Sequence, residues 1–63
     1  MAIREMRLKA NKSVQDVMDA LNVSDAAVYS WEMGTYKPKA DNLIKLAGLF
    51  NCSIDDLMKE EGE

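Results

Sequence analysis

Apolar positions recur along this chain at helical spacing, and short polar breaks divide them into five segments. The clearest stripe is Val14, Val17, Met18 and Leu21, at i, i+3, i+4 and i+7, which marks one buried helical face. Asn22 interrupts it, Val23 turns an apolar side chain back toward the core, and Ser24 opens the next segment. Asn tolerates the left-handed conformation that ends a helix, and Ser accepts an orphan N–H at a helix start. A further helix is predicted from Asp25 to about Met33, with Val28 and Trp31 inward and Gly34 as its left-handed stop. Upstream, Ala2 to Ala10 reads as helix 1, with Ile3 and Met6 inward and Arg4, Glu5 and Lys9 outward. Asn11-Lys12 connects it to Ser13, the predicted N-cap of helix 2.

Beyond Gly34 comes a loop, Thr35-Tyr36-Lys37-Pro38-Lys39, in which Pro38 stiffens the backbone and ends any helical tendency. Helix 4 is predicted from Ala40 to Phe50, where Leu43, Leu46, Ala47 and Phe50 form a stripe that Ile44 and Leu49 widen. Asn51-Cys52-Ser53 then repeats the solution of Asn22-Val23-Ser24: Asn ends a helix, an apolar residue plugs the core, and Ser caps the next helix. Cys52 is therefore expected to be a buried, inert thiol. Ile54, Leu57 and Met58 supply the apolar face of helix 5, and the chain is expected to fray from Glu60. Aromatic residues make up only 6% and β-branched runs are absent, which disfavours strands. The expected fold is all-α: one compact five-helix domain over residues 1–59, followed by an acidic tail over 60–63.

Composition narrows the chemistry. A chain of 63 residues buries only about 60% of its unfolded surface, so helix packing must carry the fold. One cysteine and no histidine leave no internal disulfide and no His/Cys zinc site, and no metal or cofactor is expected. No stretch approaches the ~18 apolar residues of a membrane span, and no signal peptide opens the chain, so a cytoplasmic location is expected. The net charge of −3 argues against a generic nucleic-acid binder, whose footprint is basic. Its distribution changes that picture. Without Glu60, Glu61 and Glu63, eight acids balance eight bases. Arg4, Arg7, Lys9 and Lys12 precede Ser13, and Lys37 and Lys39 follow Gly34; ordinary solvated charge is the alternative reading of both groups.

Two short helices joined by a three- or four-residue turn are the geometry that lays a helix in the DNA major groove. The residues Ile3-Arg4 with Arg7, Leu21-Asn22-Val23-Ser24, Val28, Trp31-Glu32, Gly34, Lys37-Pro38 and Leu43 with Lys45-Leu46-Ala47 follow in order. On them the chain resembles the Cro/lambda-repressor-like helix-turn-helix family, also called XRE, from about Ala2 to Met58. The resemblance implies a lambda-repressor-like domain with its helix-turn-helix at helices 2–3, and double-stranded DNA as partner. It implies that Arg7 pairs with Glu32, tying helix 1 to the end of helix 3; a direct phosphate contact is the other role open to Arg7. It also implies that the loop lies along the DNA backbone, with Lys37 and Lys39 as leading phosphate ligands and Tyr36 beside them.

By periodicity and by the resemblance, the outward positions of helix 3 are Asp25, Ala26, Ala27, Tyr29, Ser30 and Met33. Asp25 can accept from cytosine N4, Ala26 or Ala27 can touch a thymine methyl, and Ser30 suits either kind of base edge. Tyr29 can stack or donate to a phosphate. Asp25 is equally explained as a first-turn acid complementing the helix dipole, and Trp31 reads as packing. The family pattern Gly-Leu-Ser/Thr-Gln is replaced by Asn11-Lys12-Ser13-Val14. Val14 cannot make the phosphate contact of the family's Gln, which leaves Ser13, the first-turn N–H groups and Lys12. Ser24 stands at the equivalent start of helix 3. With no catalytic constellation or glycine-rich phosphate loop, an enzyme is not expected, nor a small-molecule ligand. The lead reading is a transcriptional regulator that reads DNA, as a homodimer on two half-sites. The alternative is a protein-interaction module, antitoxin-like or an adaptor, which would use Tyr29, Met33 and Tyr36 against a protein partner.

Overall fold

Four of the helices are closed by the same local device. In a computed structural model, which describes residues 1–60, the helices are α1 (Ile3–Lys9), α2 (Val14–Leu21), α3 (Asp25–Met33), α4 (Ala40–Phe50) and α5 (Ile54–Met58). Asn11, Asn22 and Asn51 take positive φ angles of 58°, 56° and 54°, and Gly34 takes 82°. After each, the next N–H reaches back five residues: Lys12 to the Arg7 carbonyl, Val23 to Met18, Thr35 to Ser30 and Cys52 to Ala47. This is the left-handed stop that satisfies carbonyls a helix end leaves unpaired. The sequence marks Asn11 only as a connection. It occupies the place of the family's Gly and adopts the backbone that Gly would supply, so this departure leaves the turn intact.

Helix starts are equally local. Ser13 and Ser53 form reciprocal capping boxes with Asp16 and Asp56: each Ser hydroxyl accepts from the Asp N–H at 3.0 Å, and each Asp carboxylate accepts from the Ser N–H. Ser24 accepts from the Ala27 N–H at 3.2 Å. These boxes set a pH dependence. The Ser13 N–H and then its hydroxyl hold the Asp16 carboxyl below the usual range. Ser53 does the same for Asp56, with Lys59 assisting. A carboxyl lowered on folding stabilises the domain above the ordinary value of about 3.9, and that stability fades as pH falls toward the folded value. Thermal melts of D16N/D56N are therefore expected to show a shallower decline below about pH 4 than the parent. Parallel curves would remove both boxes from acid unfolding.

The core is Ile3, Val17, Leu21, Val28, Trp31, Leu46, Phe50 and Leu57. α2 packs on α3 and α4, α4 on α5, and α1 closes the structure against α3, α4 and α5. The Ala2 N–H donates to the Leu57 carbonyl at 2.8 Å, fastening the start of α1 to α5. Trp31 is buried, as its position had implied.

Four expectations are corrected. Ile44 does not widen the α4 face but is 62% exposed, because it lies roughly 200° around the helix from Leu46 at 100° per residue. In α5, only Leu57 is buried, while Ile54 and Met58 are exposed: although i, i+3 and i+4 share one side of a helix, α5 packs only on α4 and α1, and Leu57 alone is buried in that seam. Cys52 is half-buried. Burial, then the Asp56 charge, pushes its thiol pKa up, which disfavours the reactive thiolate. Helix 1 is shorter than Ala2 to Ala10, with those two residues serving as its caps. Of the acidic tail, Glu60 is exposed, and the expectation for Glu61, Gly62 and Glu63 lies outside the described residues.

Candidate nucleic-acid interface

Arg7 is the hinge of the arrangement. Its Nε donates to Glu32 Oε2 at 2.8 Å and its Nη2 to Glu32 Oε1 at 3.3 Å, while Nη1 donates to the Lys12 carbonyl at 3.0 Å. The side chains of Arg7 and Glu32 are 10% and 5% exposed, so this is a fork-to-fork pair held largely away from water. Arg4 Nε lies 3.9 Å from Glu32 Oε1 from the solvent side. One guanidinium thus connects α1, the end of α3 and the turn before α2. The geometry assigns all three Arg7 contacts within the protein, which supports the tie over the phosphate reading.

The start of α2 carries more charge than expected. Ser13 commits both its N–H and its hydroxyl to Asp16, so the N–H groups of Val14 and Gln15 are what remain there for an anion. Asp16 stays ionised at that end, and Lys12, half-buried, is the cation that offsets it. A phosphate placed here needs Lys12.

On α3, Asp25, Ala26, Tyr29 and Met33 are exposed. Ala27, expected on the outer face, is half-buried and packs against the core. It lies four positions before buried Trp31, about 40° around the helix and so toward the same side. Ser30 is also half-buried, and its hydroxyl donates to the Ala27 carbonyl at 2.7 Å. Asp25 Oδ1 accepts from the Ala26 N–H at 2.7 Å, a contact proper to a first-turn acid. Ser24 spends its oxygen as the α3 cap.

The loop after Gly34 is anchored at both ends. The Thr35 and Tyr36 N–H groups share the Ser30 carbonyl, at 2.9 and 3.3 Å, and Pro38 is buried. Between and after them Tyr36, Lys37 and Lys39 are exposed. Among the described residues neither lysine has a carboxylate within ion-pair distance. Lys39 is also the N-cap of α4 and makes no side-chain capping bond. Among the described residues its ammonium therefore has no carboxylate partner at that helix start.

The described residues hold no group of acids, cysteines or histidines arranged for a metal ion. None of their helices is long and apolar enough to cross a membrane.

The helix-turn-helix family profile matches residues 3–57. The HTH-type transcriptional regulator AnsR of Bacillus subtilis (strain 168) is 32% identical over 59 residues, covering 94% of this chain and 51% of that protein. The chain thus spans about half the length of this curated relative. No solved structure gives a significant match.

Proposed function

The chain belongs to the helix-turn-helix family, and from that membership we propose that it is a sequence-specific DNA-binding transcriptional regulator, acting as a repressor. In this reading α3 enters the major groove, and Asp25, Ala26, Tyr29 and Ser30 face base edges. Ala27, packed inward, supports that face from behind. Lys37 and Lys39 with Tyr36 hold the phosphate backbone on one side, and Lys12 with Ser13 and Ser24 hold it on the other. The observation that carries the reading is the loop held by the Ser30 carbonyl and buried Pro38, which presents two lysines, unpaired among the described residues, immediately after the exposed face of α3. Phosphate contacts of this kind set affinity and orientation, and base contacts add specificity.

A single module touches few base pairs, so the operator reader is a dimer on half-sites about 34 Å apart. The exposed apolar side chains Ile44, Ile54 and Met58 support a self-association surface on α4 and α5. Selection from a random duplex pool near physiological salt tests this function. The expected result is a two-fold-symmetric motif with half-sites about ten base pairs apart. A folded protein that enriches no sequence would defeat the DNA-reading proposal.

One observation favours a second reading. Tyr29, Met33 and Tyr36 are 49%, 79% and 69% exposed, and aromatic residues and Met are enriched at protein interfaces. A protein partner held there would respond weakly to salt, whereas phosphate-driven binding weakens steeply as salt rises.

A further inference from the structure

The exposed face of α3 is short of hydrogen-bond donors. Its Ala26 and Ala27 N–H groups donate to Asp25 Oδ1 and Ser24 Oγ, and the Ser30 hydroxyl donates to the Ala27 carbonyl. The solvent side holds the Asp25 carboxylate, which only accepts, the Ala26 methyl, the Tyr29 ring and the Met33 thioether chain. The Tyr29 phenol is the one side-chain donor there that is not already engaged within the helix. Ala26, Tyr29 and Met33 fall within roughly 60° of one another around the helix, so they form one apolar stripe.

Base edges in the major groove divide sharply against such a surface. Guanine presents two acceptors, N7 and O6, and is read by paired donors such as those of Arg or Lys. Neither residue occurs in α3, and the Asp25 carboxylate repels both guanine atoms. Thymine presents a methyl group, and adenine and cytosine present amino donors that a carboxylate can accept from. We propose that this surface selects thymine through its 5-methyl group, with Ala26 and Tyr29 as the apolar partners, Met33 extending the stripe, and Asp25 disfavouring guanine. The inference rests on the reading of α3 as the helix that enters the groove. The same chemistry makes 5-methylcytosine, which joins a methyl to an amino donor, a better ligand than cytosine at a contacted position.

The test starts from a selected operator and replaces each half-site thymine in turn by deoxyuridine, which removes only the methyl. At one or more positions per half-site, affinity is expected to fall about fourfold per methyl, the worth of one buried methyl-sized group. In Ala26→Gly the ratio of thymine to uracil affinity is expected to approach one at the position Ala26 contacts. That ratio is taken within one variant, so any general loss of stability cancels. Placing 5-methylcytosine for thymine, with guanine opposite, is expected to retain more affinity than unmethylated cytosine does. Uracil operators that bind as tightly as thymine operators at every position would overturn the inference while leaving DNA reading intact. So would a half-site whose required bases are guanines. Failure to enrich any sequence would instead overturn the reading beneath it.

Discussion

Arg7→Ala is expected to cost about 3–5 kcal/mol of folding stability, because it leaves the Glu32 carboxylate buried without its partner. A domain of this length has a total of roughly 3–9 kcal/mol at typical per-residue values, so a large fraction of the variant should be unfolded at room temperature. Arg4 tempers the loss. Its Nε is already 3.9 Å from Glu32, and it can move onto the vacated carboxylate, which favours the lower end of the range. Urea titration followed by circular dichroism and by Trp31 fluorescence measures the effect directly. Arg7→Lys should fall between, since an ammonium cannot reproduce the two-pronged contact with Glu32 while also reaching the Lys12 carbonyl. Pairing Arg7→Met with Glu32→Leu should recover most of the stability, as apolar replacement of a buried pair is often neutral. An Arg7→Ala midpoint equal to the parent's would mean that the pair orients α1 without stabilising the fold.

Replacing Lys37 and Lys39 together by Ala is expected to weaken DNA binding about 30-fold near 0.15 M salt and to flatten the log–log salt slope by about 1.8, at ~0.9 per phosphate contact. The loss should be nearly uniform across sequences, because these contacts position the protein without reading bases. Stability should stay within about 0.5 kcal/mol of the parent, since both side chains are exposed and the loop is held by the Ser30 carbonyl and buried Pro38. Fluorescence anisotropy from about 50 to about 200 mM salt reads both quantities. An unchanged slope would take the loop out of the interface and shift attention to the start of α2, where Asp16 opposes any phosphate.

Much of the fold was legible in short windows of sequence. Asn22, Gly34 and Asn51 are legible as stops and Ser13, Ser24 and Ser53 as starts, because capping involves residues no more than about five positions apart. The stripes of α2 and α4 emerged for the same reason. Asn11 is a less legible stop although it carries the same Asn signal, because Lys12-Ser13 after it holds no apolar plug of the kind seen at Val23 and Cys52. The candidate site was less legible. Helical spacing alone puts Ala27 and Ser30 on the outer face, yet Ala27 packs inward and Ser30 gives its proton to the helix backbone, keeping only its oxygen as an acceptor.

By itself, then, the sequence determined the starts of α2, α3 and α5, the stops of α2, α3 and α4, which family the chain resembles, and that α3 carries no cation. Those properties follow from chemical identity and from interactions along a few residues of chain. Only the tertiary structure decided which apolar side chains find a partner, leaving Ile44, Ile54 and Met58 outside while Leu46 and Leu57 close the core. It also decided that one arginine serves Glu32, 25 residues away, and the Lys12 carbonyl together. Burial and long-range pairing depend on how assembled helices face one another, and that relation is not written in any single segment.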